Sequence, residues 1–193
     1  MAEKRTIKSA RENKTRYTLL GLLSLQPMTG YEIKQFIGES IGHFWSEGYG
    51  QIYPMLRKLA DEGLIEGTKE ESSTRPERTR FHITAAGRDG FEAWMQTPVT
   101  LQPMRNELLL RVFFGTQAPA GTLQKLLEDT MEAWKGYLDV YRGIEKMLST
   151  QLKDSPSCPY WLMTVRQGIH QMEANLKWGR ESQQTLQALA NDK

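Results

Sequence analysis

The feature that most constrains this chain is a change of hydrophobic period within residues 51–83. Ile52, Met55, Leu56, Leu59 and Ala60 recur at the spacing of one helical stripe, and Gly63 ends the run. The apolar residues then alternate. Leu64 and Ile65 enter a first strand, a polar stretch from Lys69 to Glu77 makes a long turn, and Thr79, Phe81 and Ile83 alternate with Arg78, Arg80 and His82 in a second strand. A helix followed at once by a hairpin can bury both apolar sides only against one shared core, which leaves the polar sides, with the two arginines and the histidine, outward.

The preceding residues supply that core. Tyr17 to Leu25 reads as a short buried helix ended by Pro27. Thr29 and Glu32 have the spacing of a capping box, and Met28 and Ile33 that of a hydrophobic staple. The helix so begun carries Ile33, Phe36, Ile37 and Ile41 on one face before Gly48 and Gly50 break the pattern. After the hairpin, Thr84 caps a further helix through Phe91, Trp94 and Met95 that stops near Pro98. Three helices and a hairpin in this order predict a winged helix-turn-helix domain over residues 17–98, its third helix being the one such folds lay in the major groove. Residues 1–16 hold six basic against two acidic side chains, a net +4, and form a basic arm that is either a solvated terminus or a DNA contact.

Residues 99–193 read as helical. Leu108, Leu109, Val112 and Phe113 mark a short amphipathic helix, and Pro119 opens a long one. Leu127, Met131, Trp134, Leu138, Tyr141, Leu148 and Leu152 follow steps of four and three, with Ile144 standing in for a beat missed at Glu145. Asp154, Ser155, Pro156 and Pro159 make a turn, and Leu162, Val165, Ile169, Met172, Leu176 and Leu186 continue the seam on a returning helix, interrupted at Gly179 and Gln183. Two helices cannot bury both faces alone, so a second copy of the chain is expected to cover them, through Leu127, Met131, Trp134, Leu138, Ile169, Met172 and Leu176. The predicted fold class is mainly α with a small β-hairpin: a winged helix-turn-helix domain and a C-terminal antiparallel helical hairpin for dimerisation.

Composition closes off other classes. The apolar stretches around Leu19 to Leu25 and Leu108 to Phe114 are too short to cross a bilayer, so no membrane partner is expected. With a lone cysteine, Cys158, and no recognisable leader, a reducing, cytoplasmic setting is the simplest expectation. There is no Gly-rich phosphate loop, nucleophile elbow or cysteine pair for zinc, and the three histidines are scattered. His170 and Glu173 stand one turn apart, which suits a hydrogen bond better than a two-ligand metal site. Neither an enzyme nor a cofactor or metal is expected.

The stripe of the third helix leaves Gln51, Tyr53, Pro54, Arg57, Lys58 and Asp61 facing outward. Gln can read adenine and Arg guanine with paired hydrogen bonds, and a Tyr hydroxyl can hold a phosphate. Gln51, Tyr53, Arg57 and Lys58 are therefore candidate contacts to a double-stranded DNA operator, with Arg75, Arg78 and Arg80 in the wing. The plainer readings are a solvated helix face and wing arginines paired with Glu70, Glu71 and Glu77, pairs weak enough to yield to a polyanion. Trp94, Trp134, Tyr160, Trp161 and Trp178 suffice to line a pocket for a flat ligand, although packing is the commoner use of each. Trp94, Tyr160 and Trp161 are the candidates for binding a small aromatic or hydrophobic effector.

The segments TGYEIKQFIGESIGHFWSEGYGQIYPMLRKLADEGLIEG, ERTRFHITAAGRDGFEAWMQTP and RNELLLRVFFG closely resemble the PadR family of regulators, from about Tyr17 to Gly115. Gly30-Tyr31, Phe44-Trp45, Gln51-Ile52-Tyr53-Pro54, Leu56, Leu59, Gly63, Thr84 to Gly87, Trp94 and Glu107 fall in order. The hairpin length and the SPSCPYWLM turn are similar to the branch with a long helical C-terminal domain, which includes phenolic-acid-responsive repressors. The resemblance implies a dimer on a palindromic operator, usually a repressor, often released by an aromatic effector, with Gln51, Tyr53 and Arg57 reaching DNA. Some relatives are activators. A winged-helix protein-interaction module and an enzyme with an aromatic pocket are the rival classes.

Overall fold

The computed structural model of the chain describes residues 2–42, 44–45, 49–70, 78–99 and 105–191, with side chains from Lys14 onward except that of Tyr49. The chain divides into two compact units, Met1–Leu101 and Gln102–Lys193.

The first unit contains α1 (Ala2–Leu25), β1 (Met28–Thr29), α2 (Gly30–Phe36) running into a π-helical turn (Ile37–Ile41), α3 (Tyr49–Asp61), β2 (Ile65–Glu70), β3 (Arg78–Ile83) and α4 (Ala85–Met95). Helix α1 starts at Ala2, not near Tyr17, because residues 2–16 hold no proline or glycine to stop it and many good helix formers. The sheet has three antiparallel strands in the order β1-β3-β2 where a two-stranded hairpin was expected. Two residues, Met28 and Thr29, pair with Phe81 and Arg80. So short a strand has no period of its own; it exists because the free edge of β3 needs a partner.

The predicted boundaries rest on local hydrogen bonds. Thr29 Oγ1 accepts the Glu32 N–H at 3.2 Å and Glu32 Oε2 accepts the Thr29 N–H at 2.8 Å, which completes the capping box. Gly63, at φ 69°, ends α3, with Leu64 N–H donating to Leu59 O and Gly63 N–H to Ala60 O, a Schellman closure that needs the left-handed residue. Thr84 caps α4 through the Gly87 N–H and also donates its hydroxyl to Gly63 O at 2.8 Å, joining the end of α3 to the start of α4. Leu19, Leu20, Ile33, Ile52, Leu56, Leu59 and Ile65 are fully buried in one cluster, each contributing about 2 kcal/mol of transfer free energy. Phe81 and Ile83 pack against it from β3. Ala60, at the edge of the predicted stripe, is exposed.

The second unit contains α5 (Glu107–Phe113), capped by Asn106, then α6 (Thr122–Gln151) and α7 (Cys158–Asn191). Most of the predicted seam holds, Leu127, Met131, Leu138, Tyr141, Leu148, Val165, Ile169 and Leu176 being buried together, whereas Leu152 falls just past the end of α6 and is exposed. Trp134 and Trp178 meet edge to face, with centroids 6.3 Å apart. Gly179 does not interrupt the seam. It is buried, and a Cβ there would meet Met131 Sδ at 2.7 Å, so the absent side chain lets the helices close. Among the described residues no helix is long and apolar enough to cross a membrane.

Candidate nucleic-acid interface

Helix α3 is two-sided. Ile52, Met55, Leu56 and Leu59 anchor one side in the core, while Tyr53, Pro54, Arg57 and Lys58 are exposed on the other. Among the described residues neither Arg57 nor Lys58 enters a salt bridge, so both charges face solvent. Gln51 is half-buried at the first turn, and its Oε1 accepts from Thr15 Oγ1 of α1 at 3.5 Å. Tyr53 lies across the start of α2, where a Cβ on Gly30 would stand 2.6 Å from its ring. Two predicted contacts, Tyr53 and Arg57, therefore share one exposed face with Lys58, and the fourth, Gln51, sits at its buried margin.

The wing arginines differ. Arg80 is paired: Nη1 donates to Glu32 Oε2 at 2.9 Å and to Pro27 O at 2.9 Å, Nη2 to Glu32 Oε1 at 3.1 Å, and Nε to Glu70. Two carboxylates raise its pKa further and hold it charged. Glu32 titrates below the ordinary carboxylate value, first through the Thr29 N–H, then through Arg80. Arg80 shares the strand face of Arg78 and is 31% exposed, but its guanidinium is taken up by the capping-box carboxylate and by Glu70, the pairing that the plainer reading allowed. Arg78 is exposed, with its guanidinium carbon 5.9 Å from the centre of the Tyr31 ring. Arg75 lies outside the described residues.

Sequence reasoning missed Tyr31 and Thr15 as neighbours of these side chains. A signal for Tyr31 was present, since position 31 lies off the face defined by Ile33 and Ile37. No local pattern marks Thr15, whose role depends on α1 crossing α3.

Of the candidate effector residues, Trp94 belongs to the first unit and stacks on Tyr17, with centroids 4.7 Å apart and planes 8° from parallel. Tyr160 and Trp161 belong to α7: Tyr160 is exposed and Trp161 packs against the hairpin core. The seven residues expected to meet a second copy, Leu127, Met131, Trp134, Leu138, Ile169, Met172 and Leu176, all lie in the core between α6 and α7 of one chain. Five of them are buried in closing the hairpin, and Trp134 and Met172 are partly buried against it. The apolar side chains left outside include Tyr137, Val140 and Met147 on α6 and Tyr160 and Met163 on α7. His170 Nδ1 lies 3.9 Å from Glu173, which also accepts from Arg142, and among the described residues no group of three His, Cys, Asp or Glu is placed to hold a metal.

A core-anchored helix with an exposed basic face, followed by a strand pair and a separate helical unit, is the arrangement of a winged-helix domain joined to a helical one. Residues 19–93 match the transcriptional regulator PadR-like family and residues 104–187 the virulence activator alpha C-terminal family. Over residues 19–93 the chain is thus similar to PadR-like transcriptional regulators. It is 29% identical over 147 residues to the negative transcriptional regulator PadR of Bacillus subtilis, covering 75% of this chain and 80% of that one. It is 28% identical over 186 residues to a probable transcriptional regulator of Mycobacterium tuberculosis, covering 89% and 96%. A crystal structure of the Bacillus cereus PadR-like regulator aligns with TM-score 0.72 at 29% identity, over 90% of this chain and 98% of that one. The B. subtilis PadR structure with operator DNA aligns with TM-score 0.79 at 24% identity, over 89% and 98%, and that protein is also solved with p-coumaric acid. The family and these relatives are regulators and not enzymes, as expected.

Proposed function

We propose that this chain is a cytoplasmic homodimeric repressor that binds a palindromic double-stranded DNA operator and is released by a small aromatic or hydrophobic effector. The observation that carries the DNA reading is the two-sidedness of α3, which leaves Arg57 and Lys58 without ion partners among the described residues. In this reading Arg57 reads a base edge, Gln51 and Tyr53 contribute base and phosphate contacts, and Lys58, Arg75 and Arg78 neutralise phosphate. Arg80 braces the wing through Glu32 and Glu70. A dimer sets two copies of α3 about 34 Å apart, one turn of duplex, so that both enter successive major grooves.

The second copy meets the outer stripe of Tyr137, Val140 and Met147, because the seam residues are already covered. Effector release follows if the ligand binds better to a spacing that does not fit the duplex, and DNA then weakens the ligand by the same factor. Support for an aromatic effector comes from the exposed Tyr160 beside Trp161, and from the p-coumaric acid complex of the B. subtilis relative. An activator is the second reading, favoured by the match of residues 104–187 to a virulence-activator family.

Selection of duplexes from a random-sequence pool, followed by band shifts at several salt concentrations, tests the proposal. Enrichment of an inverted repeat with salt-dependent affinity is expected; a chain that retains no duplex refutes it. Transcription from a template bearing the selected site falls for a repressor and rises for an activator. Phenolic acids titrated into the complex test release.

A further inference from the structure

Resting on the DNA-binding reading above, we infer that Tyr31 is a positioning residue for DNA: its ring carries Arg78 and presents that guanidinium to the phosphate backbone. Register brings the two together. Thr29 pairs with Arg80 at the end of β1, and just beyond that pair lie Tyr31, in the first turn of α2, and Arg78, two residues before Arg80 in β3. The Arg78 guanidinium carbon then lies 5.9 Å from the Tyr31 ring centre, within the range of cation–π attraction. Tyr31 is 56% exposed, so the pair stands at the surface and not in the core.

The chemistry of the two wing-root arginines explains why the ring matters. Arg80 gives its N–H donors to Glu32, Glu70 and Pro27 O and has little left for an outside anion. A guanidinium held over a ring face is restrained through its flat side, and its N–H donors at the edge stay free to grip a phosphate. Among the described residues Arg78 enters no ion pair, and the aromatic contact restrains it without itself taking up its charge. The preceding residue, Gly30, receives the ring of Tyr53 from α3. The first turn of α2 thus aligns a side chain of the recognition helix and one of the wing root through adjacent residues.

The test is a double-mutant cycle on the full chain, with duplex recovered by the wild type from a random-sequence pool. Tyr31→Leu removes the π face and keeps an apolar side chain; Tyr31→Phe keeps the face and loses the hydroxyl. Expected are about two- to fivefold weaker binding for Tyr31→Leu, near-wild-type binding for Tyr31→Phe, a salt slope lowered by about one for Arg78→Ala, and no further loss when Tyr31→Leu is added to Arg78→Ala. Unfolding temperatures that stay together separate positioning from stability. Independent, multiplying losses overturn the inference, as does a Tyr31→Phe loss equal to that of Tyr31→Leu, which would mean a direct hydroxyl contact. Unchanged binding by Tyr31→Leu or by Arg78→Ala overturns it too. If the wild type itself retains no duplex, the DNA-binding reading has failed first, and the wild-type arm alone reports that.

Discussion

The guanidinium of Arg80 and the carboxylate of Glu32 meet through two parallel contacts, Nη1 to Oε2 at 2.9 Å and Nη2 to Oε1 at 3.1 Å, while the same carboxylate closes the capping box on Thr29. One acidic side chain thus ties the start of α2 to the middle strand of the wing. Replacing Arg80 with Ala is expected to lower stability by about 1–2 kcal/mol, the scale of a two-pronged but partly solvated pair. Its salt slope for DNA should stay near that of the wild type, because Arg80 is already matched by carboxylates. A slope reduced by about one would return Arg80 to the phosphate contacts.

Glu32 gives the pair a pH signature. Its folded pKa is depressed, first by the Thr29 N–H and then by Arg80, so its contribution to stability is present above the unfolded value and is lost as pH falls through the folded value. Glu32→Gln should therefore melt below the wild type at neutral pH, and the gap should shrink as the pH drops below the ordinary carboxylate range. Thermal unfolding followed across that range checks it, and a gap that widens in acid contradicts the sign.

Arg57→Ala should weaken binding to the selected operator by about 1–3 kcal/mol if the side chain reads a base, and far less on scrambled duplex. Lys58→Ala should weaken both alike. Band shifts on the two duplexes separate the roles, and equal losses for Arg57→Ala on each would assign it to phosphate.

A methyl group at position 87 collides with the carbonyl oxygen of Leu64, which is backbone and cannot rotate away. Gly87→Ala should therefore destabilise the first unit by more than about 2 kcal/mol through overpacking. Gly90→Ala on the same helix meets nothing and should be neutral or stabilising by up to about 1 kcal/mol. Chemical denaturation of the two variants makes the comparison.

Trp134→Glu and Tyr137→Glu probe the hairpin from inside and outside. Trp134 packs edge to face with Trp178, so its replacement should reduce helicity and melting temperature. Tyr137 is exposed in the single chain, so its replacement should dissociate the dimer while leaving helicity intact. Sedimentation and far-ultraviolet circular dichroism distinguish the two, and a dimer that survives Tyr137→Glu moves the interface elsewhere.

Where the determining interactions are local, the residues alone were sufficient. Thr29 with Glu32, Thr84 with Gly87 and the left-handed Gly63 fix helix ends through hydrogen bonds spanning a few residues, and the stripes through Ile52 to Leu59 and Leu127 to Leu148 follow from helical period. That made the winged-helix order, the exposed face of α3 and the helical hairpin legible from sequence. Tertiary structure decided what depends on partners distant along the chain. Only the pairing of β1 with β3 brings Arg80 onto Glu32, 48 residues away, and Arg78 near Tyr31. Only the closing of α6 on α7 decides that the seam is consumed within one chain and Tyr137 is left outside. Periodicity states that a side chain will be buried, but the covering surface depends on which elements the folded backbone brings together.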